Sequence, residues 1–375
     1  MDNSKRSRKV RYWINYRLPG GKQRREPVGY SIKEAKAADG KRKVQKRENR
    51  IFDILPENKI SFQELTEWYL NLESVKMLRS LRRTRAALNN FSDVFGNTLM
   101  GNIKPKDLEN YQVQRERQKA SYATIDMEIS IAGTVINKAF DNDKVDGRVL
   151  KAFRKVKRKL KPGSNARSRI VDVSEYLKIL SSAPQHLRKI IITAYNTGMR
   201  MGEILELRWP YFDRDKGFFR LPSNLTKENK PKRIPINHHV KEVLDNIPRF
   251  LKHDFIFTYR ENPFSEGGIK RSFKTSCINA NVPYGRKTPD GVTFHDIRRT
   301  VKTHMLYAGI DKVHRDVILG HSFKGMDIHY MAPSDESLRD AMDKYTRWLD
   351  EKIADANEML TKTLTKNKNS SQINL

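Results

Sequence analysis

Hydrophobic residues recur at helical spacing through most of this 375-residue chain. Four blocks between residues 60 and 145 show the pattern, and a second helical stretch runs from about residue 171 to Ile353. Strand-like residues at 217–236 interrupt the second stretch. This periodicity predicts a mainly α protein with small β elements, an α+β fold in which separate helical domains each bury a core.

A β-hairpin followed by a helix is predicted at the N-terminus. In "KVRYWINYRLPGGKQRREPVGYS", polar and apolar positions alternate on both sides of a Pro-Gly-Gly turn, which predicts a hairpin or a three-stranded sheet. Tyr12, Ile14 and Tyr16 fall on one face, so the other face stays polar and basic. Ser31 should cap the next helix, with Glu34 completing a capping box. The basic sheet could lie in a DNA groove, or it could be a solvated hairpin.

The charge balance limits the class of partner. A formal net charge of +30 predicts binding to a polyanion, and nucleic acid is the first candidate. Because 37% of residues are hydrophobic and periodic, folded domains rather than a basic tail are expected. No apolar run of about 18 residues is present, which predicts a soluble cytoplasmic protein without a membrane partner. The single cysteine, Cys277, excludes an internal disulfide framework and is predicted to be a packed thiol.

Breaker residues and charge runs divide the chain into five predicted parts. They are a basic N-terminal domain at 1–55, a helical domain at 58–150, a basic linker at 151–169, a third domain at 170–355 and a polar tail at 356–375. The last part of the tail, "TKTLTKNKNSSQINL", is predicted to be disordered.

Two segments of the third domain carry cations in apolar surroundings. "AYNTGMRMGEILELRW" places Arg200 at the start of a helix and Glu203 one turn later, which alone would also suit an ordinary surface ion pair. "GFFRLPSNLTKENKPKRIPI" is predicted to form a hairpin whose loop contains Lys227, Lys230 and Lys232. A lysine in such a loop can reach a phosphate, although a solvated turn would have the same sequence.

Two later segments add histidines and a tyrosine. In "VTFHDIRRTVKTHMLYAG", His295 and Arg298 are three residues apart and share one helical face, where the guanidinium disfavours a metal ion. In "ILGHSFKGMDIHYMAP", Tyr330 follows His321 by nine residues. His329 is assigned no role, and a zinc site built from His314, His321 and His329 lacks supporting carboxylates or cysteines.

The combined side chains suit attack on a phosphodiester without a metal ion. The two arginines can neutralise charge on the non-bridging oxygens of the transition state. Histidine and lysine can transfer protons, and a tyrosine in cationic surroundings can act as a nucleophile. No carboxylate cluster able to hold magnesium accompanies these residues in the sequence.

The order of these segments resembles the tyrosine recombinase and phage integrase family, of the lambda type. The resemblance rests on "TGMRMGE", a hairpin lysine, "HDIRRT", "LGH" and a tyrosine nine residues later, and it is strongest over residues 170–350. The helical part resembles the core-binding, SAM-like domain of that family, and the basic hairpin resembles the arm-binding domain. The family often has histidine where Arg299 stands and threonine where Met326 and Asp327 stand.

The resemblance implies a role for each residue that matches a family motif. Arg200 and Arg298 would bind the scissile phosphate, with Glu203 supporting Arg200. Lys227, or Lys230 in its place, would be the general acid. His295 and His321 would assist proton transfer and stabilise the transition state. Tyr330 would be the nucleophile.

The resemblance also implies a whole activity. It predicts a site-specific recombinase that integrates or excises a phage or other mobile element through a 3′-phosphotyrosine, with no cofactor. The implied partners are attachment-site double-stranded DNA, three further copies in a tetrameric synapse and DNA-bending accessory proteins. The implied location is the cytoplasm of a bacterial host, at the nucleoid when bound. A catalytically inactive DNA-binding relative and a type IB topoisomerase-like enzyme are the alternatives.

Overall fold

The computed structural model describes residues 10–17, 23–47, 60–321 and 333–372. The chain divides into two compact units, Met1–Ala166 and Arg167–Leu375. Both units are mainly helical with small antiparallel sheets, which confirms the predicted α+β class. No helix in the described ranges is long and apolar enough to cross a bilayer.

The first unit begins with the predicted hairpin and helix. Its elements are β1 (Tyr12–Arg17), β2 (Gln23–Gly29) and α1 (Ile32–Arg47). The strands pair antiparallel, and Ile14 is buried while Trp13 is exposed, so the alternation of the sequence is kept. The backbone N–H of Glu34 donates to Ser31 Oγ at 3.4 Å. The described part of this region has two strands rather than three, and the Pro-Gly-Gly turn lies outside it.

The rest of the first unit is a helical bundle. Helices α2 to α7 are Phe62–Leu70, Glu73–Lys76, Leu81–Phe95, Pro105–Arg117, Tyr122–Asp141 and Gly147–Lys155. Their core is aromatic, with the Phe91 ring 4.7 Å from Phe62 and 4.8 Å from Tyr111. Ser61 and Glu64 form a capping box that fixes the start of α2.

Helix α7 crosses the boundary that the sequence predicts between the helical domain and a linker at 151. Asp146 caps the helix by accepting from the backbone N–H of Arg148 and Val149. Phe153 is buried, with its ring 6.0 Å from that of Phe91. The segment around Phe153 is rich in lysine and arginine, but it forms an amphipathic helix whose apolar face is buried. The bundle therefore continues into the predicted linker.

The second unit contains helices α8 to α15 and strands β3 to β7. The helices are Val173–Ser182, Gln185–Thr197, Met201–Leu205, His238–Asp245, Glu266–Asn279, Phe294–Tyr307, Lys312–Leu319 and Asp335–Gln372. The strands are Phe212–Asp213, Phe218–Leu221, Lys232–Pro235, Thr258–Tyr259 and Asn262–Pro263.

Strands β3, β4 and β5 form an antiparallel sheet in that order. Phe219 pairs with Ile234 and Leu221 with Lys232, and these side chains are all buried. Strands β4 and β5 confirm the interruption predicted at 217–236. The same register carries the side chain of Lys232 to the buried face of the sheet.

Helix α15 is longer than the sequence predicts. Its backbone remains helical to Gln372, through most of the stretch predicted to be a disordered tail. Leu338, Met342, Tyr345 and Leu349 are buried in the core of the same unit, so this face packs on its own domain. The Tyr345 hydroxyl donates to the carbonyl of Tyr195 at 2.8 Å, which anchors the helix to α9.

Candidate active site

Arg200 is positioned by a sharp turn between α9 and α10. Gly198 ends α9 with φ of +64°, in the left-handed region, and a Cβ there would collide with Leu319. The chain then starts α10 after Arg200, whose backbone N–H donates to Glu203 Oε2 at 3.0 Å. The "TGMRMGE" sequence thus sets both the turn and the cap of the next helix.

Two carboxylates hold the Arg200 guanidinium. One terminal nitrogen donates to Glu203 Oε1 at 2.7 Å and to Glu228 Oε2 at 3.1 Å, and the other donates to Glu228 Oε1 at 2.6 Å. Burial acts to lower the pKa of Arg200, yet the two carboxylates raise it overall. Glu228 therefore occupies the forked donor edge that a phosphate would use.

Glu203 also contacts a lysine that is almost completely buried. Lys232 Nζ lies 2.9 Å from Glu203 Oε2, and the two side chains are 2% and 3% exposed. Burial would raise the pKa of Glu203, but Lys232 and Arg200 outweigh it and lower the value to about 2. Burial lowers the pKa of Lys232 to about 8, because the attraction of Glu203 offsets it only in part.

Arg298 joins two of the sequence segments. Its terminal nitrogens donate to the carbonyl of Gly198, at 2.7 Å, and to the carbonyl of Leu319. The residue is 6% exposed, and burial together with the charge of Arg200 lowers its pKa to about 10. The two arginines are therefore close enough for their charges to interact.

Both predicted histidines lie within the field of Arg298. Burial lowers the pKa of His295 first, and Arg298 lowers it further. Burial also lowers the pKa of His321, although a hydrogen bond from its Nδ1 to Asp316 Oδ1, at 3.1 Å, opposes the shift. Lys302 Nζ lies 3.1 Å from the same Nδ1. Both imidazoles are therefore mainly neutral at pH 7.

Of the other predicted site residues, two are exposed lysines and the third, the tyrosine, lies outside the described residues. Lys227 and Lys230 are exposed residues of the turn between β4 and β5, next to Glu228. Tyr330 and His329 lie outside the described residues. On the far side of that segment, the guanidinium of Arg233 donates to the carbonyl of Pro333 at 2.9 Å and to Asp335 at 2.6 Å.

The structure therefore joins Arg200 to Glu203 by direct hydrogen bonds and places Arg298 close enough to Arg200 for their charges to interact, with His295 and His321 nearby. It adds Lys232 and Glu228, neither of which the sequence assigned to the site. A signal for Lys232 was available, because it lies two positions before Ile234 and so shares the buried face of a strand. The contact of Glu228 joins residues 28 positions apart and has no local signal.

One group in the described ranges has the spacing of metal ligands. His238, His239 and Asp350 place their ligand atoms within 4.8 Å of one another, with His239 Nε2 2.7 Å from Asp350 Oδ1. The group contains none of the predicted site residues.

The model of the phage integrase family matches residues 164–337, the part of the chain that carries this site. This part of the chain belongs to the phage integrase family. Tyrosine recombinase XerA of Pyrococcus furiosus is 27% identical over 173 residues, which cover 46% of this chain and 59% of that protein. The integrase of Escherichia phage P2 is 28% identical over 169 residues, 45% of this chain and 44% of that protein. The chain thus spans less than two thirds of the length of these integrase-family relatives.

Solved integrase structures share the fold. A lambda integrase tetramer bound to a Holliday junction superimposes with a TM-score of 0.57 and 19% identity, covering 86% of this chain and all of that one. The Tn1549 transposon integrase in complex with circular intermediate DNA gives 0.53 and 17%, covering 76% of this chain and 99% of that one.

Proposed function

We propose that the chain is a site-specific DNA recombinase of the integrase type. It would cut and rejoin DNA strands through a 3′-phosphotyrosine intermediate and so integrate or excise a phage or other mobile element. The observation that carries this proposal is the pair of adjacent guanidiniums, Arg200 and Arg298, held at the base of one site. Two such cations side by side favour a dianionic or trigonal-bipyramidal phosphate over any neutral ligand.

The scissile phosphate would replace Glu228 on Arg200. The carboxylate of Glu228 already takes two donors of that guanidinium, at 2.6 and 3.1 Å, in the geometry expected of a phosphate. A phosphodiester on Arg200 would be shared with Arg298, whose charge stabilises the additional negative charge that develops in the transition state. Glu203, on the inner side of Arg200, would hold the guanidinium in place throughout.

Tyr330 is the proposed nucleophile. Only Met331 and Ala332 lie between it and Pro333, so covalent geometry limits the distance between the Cα atoms of Tyr330 and Pro333 to about 11 Å. Pro333 and Asp335 are bonded to Arg233 of β5, and the preceding residue of β5 is Lys232, which contacts Glu203. Attack of the phenolic oxygen on phosphorus would form the phosphotyrosine ester and release a 5′-hydroxyl.

The remaining side chains would move protons. His295 and His321 are mainly neutral near pH 7, so each can donate a hydrogen bond to a phosphate oxygen or accept the proton of the phenol. The released 5′-oxygen needs a proton, and Lys227 is the proposed donor. It precedes Glu228, so a movement of the turn that removes Glu228 from Arg200 also moves Lys227; Lys230 is the alternative.

The proposed partners follow from the same reaction. Double-stranded attachment-site DNA would be the substrate, with the N-terminal hairpin as an arm-type domain and the helical bundle as a core-binding domain. Strand exchange between two duplexes would require four copies of the chain, and accessory proteins would bend the DNA. The reaction would take place in the cytoplasm, at the bacterial nucleoid.

The test is a covalent adduct on nicked DNA. Nicked duplexes that tile the DNA on both sides of the gene are incubated with the full chain in EDTA and separated on a denaturing gel. We expect a protein–DNA adduct on duplexes from one region. Tyr330→Phe should abolish it, because phenylalanine has no nucleophilic oxygen.

Tyr307→Phe is the matched control, because Tyr307 is a 63% exposed tyrosine outside the proposed machinery. It should form the adduct at the rate of the wild-type protein. Binding of these duplexes without an adduct would instead identify an inactive DNA-binding relative. Relaxation of supercoiled DNA without exchange of strands would indicate a topoisomerase.

A further inference from the structure

Lys232 is a buried lysine, and burying an ammonium group lowers the stability of the fold. Its side chain is 2% exposed, on the inner face of β5 beside Ile234 and Leu221. A buried ammonium loses its hydration, and a single carboxylate at 2.9 Å restores only part of that free energy. Methionine would fill a similar volume without this cost. A residue that costs stability in the core, and that lies beside a phosphate site, is a candidate for a role in the chemistry of that site.

The hydrogen bonds of Glu203 show what the ammonium does. Glu203 Oε1 accepts from the Arg200 guanidinium, at 2.7 Å. Glu203 Oε2 accepts from the Arg200 backbone N–H at 3.0 Å and from Lys232 Nζ at 2.9 Å. Without Lys232, one backbone donor alone would hold Oε2, and rotation about the last bond of a glutamate side chain has only broad minima.

The aliphatic part of Lys232 contacts the other half of the site. Gly320 has φ of +68°, and a Cβ there would lie 2.9 Å from Lys232 Cδ. Its neighbour Leu319 provides the carbonyl that accepts from Arg298, and the next residue is His321. The Lys232 side chain therefore packs against the turn that places Arg298 and His321.

We propose that Lys232 is a positioning residue of this site, whose ammonium fixes Glu203 and thereby Arg200, and whose methylene groups support the Gly320 turn. The role in strand cleavage rests on the proposed recombinase function. Lys232 acts through Glu203 rather than on the DNA, because its side chain is buried and its ammonium contacts the carboxylate of Glu203.

A consequence for pH dependence follows. The charged groups that act on Lys232 are Glu203, which favours its protonated form, and Arg298 and Arg200, which oppose it. Burial places the pKa of Lys232 near 8, so the ammonium is lost as the pH rises above that value. Glu203 then faces a neutral amine, which is a weaker donor and no longer attracts the carboxylate by its charge, so cleavage should slow.

The experiment compares Lys232→Met, Lys232→Arg, Glu203→Gln and the double variant Glu203→Gln/Lys232→Met. Single-turnover adduct formation is measured from pH 6.5 to 10, and thermal melting checks that each protein is folded. We expect Lys232→Met to slow cleavage up to about 100-fold, as expected for a displaced catalytic group. The double variant should be no slower than the slower single variant, because both residues act through one carboxylate.

Lys232→Arg provides the second readout. Arginine keeps its charge up to about pH 9, so this variant should cleave at neutral pH and lose the decline between pH 8 and 9. Lys241→Met is the matched control, since Lys241 forms an exposed ion pair with Asp245 at 2.6 Å; it should follow the wild-type profile. If Lys232→Met does not fold, the profile of Lys232→Arg decides.

Binding of inorganic vanadate to the full chain separates the two proposals. Lys232→Met should bind vanadate at least about tenfold more weakly, since Arg200 is less well placed. If no wild-type adduct forms on any DNA but this difference is found, the recombinase proposal fails and the role of Lys232 remains. The role is overturned if Lys232→Met binds vanadate and cleaves like the wild-type protein, if the effects of Lys232→Met and Glu203→Gln multiply, or if Lys232→Arg keeps the alkaline decline.

Discussion

Arg298 donates hydrogen bonds to two backbone carbonyls that belong to different sequence segments. Gly198 ends α9 just before Arg200, and Leu319 ends α14 just before Gly320 and His321. The planar guanidinium can reach both carbonyls at once because its donors are fixed in a fork. The residue that would bind phosphate is therefore also the residue that connects the two turns around it.

Replacing Arg298 with lysine should destabilise the protein even without DNA. A single ammonium on a flexible stem cannot serve both carbonyls, so one buried acceptor loses its partner, at a cost of about 1–3 kcal/mol. Urea unfolding at pH 7 measures the change. Arg299→Lys is the control, because Arg299 is 31% exposed and its partner Asp296 also pairs with Arg167; it should cost less than about 1 kcal/mol. Equal losses of stability in both variants would contradict the role of the two carbonyls.

Glu203 should contribute a defined part of the acid sensitivity. Its pKa is about 2 in the folded chain and near 4.5 without these partners, so the unfolded chain binds the proton more readily. The stabilisation is fully present above pH 4.5 and is lost as the pH falls towards 2. We expect Glu203→Gln to be less stable than the wild-type protein at pH 7, by about 3–5 kcal/mol, because it leaves buried cations unpaired. Urea unfolding at pH 7 and at pH 3 should show a smaller difference at pH 3; a constant difference would refute the assignment.

Strand β5 shows how far the sequence could predict the site. The sequence predicts the strand itself, and the alternation of Lys232, Arg233 and Ile234 then decides which cation turns inward. Lys232 joins Glu203 in the core, while Arg233 pairs with Asp335 on the opposite side. Finding which lysine of "TKENKPKR" contacts Glu203 in the core therefore requires the register of the sheet, and the turn residues alone do not set that register.

Contacts between distant residues account for most of what the sequence missed. Arg200 and Arg298 could be found because each lies in a recognisable local pattern. Glu228 resembles any turn residue, and its role depends on how the turn folds back on α10. The second half of α7, from residue 151, falls in the predicted linker because its basic residues outweigh Phe153, whose burial depends on the other helices of the bundle.

The turn that carries Glu228 should regulate access to Arg200. Glu228→Gln keeps the shape of the side chain but removes the charge that competes with phosphate, so DNA affinity at fixed salt should rise by about three- to tenfold, or about 1 kcal/mol. Fluorescence anisotropy with a labelled duplex measures this change. Glu261→Gln is a suitable control, because Glu261 pairs with the exposed Lys252 at 3.4 Å outside the site. An unchanged or lower affinity for Glu228→Gln would mean that Glu228 does not occupy the phosphate position.

At the scale of the whole molecule, the net charge of +30 should make DNA binding depend strongly on salt. A protein that neutralises six to ten phosphates loses about 10³- to 10⁵-fold in affinity between 50 and 200 mM salt. The N-terminal hairpin is one proposed source of this phosphate binding. Arg11 and Arg25 lie 5.6 and 5.0 Å from the ring of the exposed Trp13, on the polar face of the sheet, which also carries Arg17.

Replacing Arg11, Arg17 and Arg25 with glutamine should therefore make the dependence of log affinity on log salt less steep, by up to about 3 in the slope. The reason is that each phosphate neutralised by an arginine contributes about one to the steepness of that slope. The matched control removes three lysines that already pair with carboxylates, at Lys241, Lys270 and Lys352, where the ion pairs measure 2.6, 2.8 and 2.8 Å. Both variants carry the same net charge, so a general effect of charge would change their slopes equally. A less steep slope for the hairpin variant alone would place DNA on that face. Only a cation that binds a DNA phosphate directly displaces the counterion condensed there, and each displaced counterion adds to the slope. Equal slopes would instead identify the hairpin as a solvated basic surface.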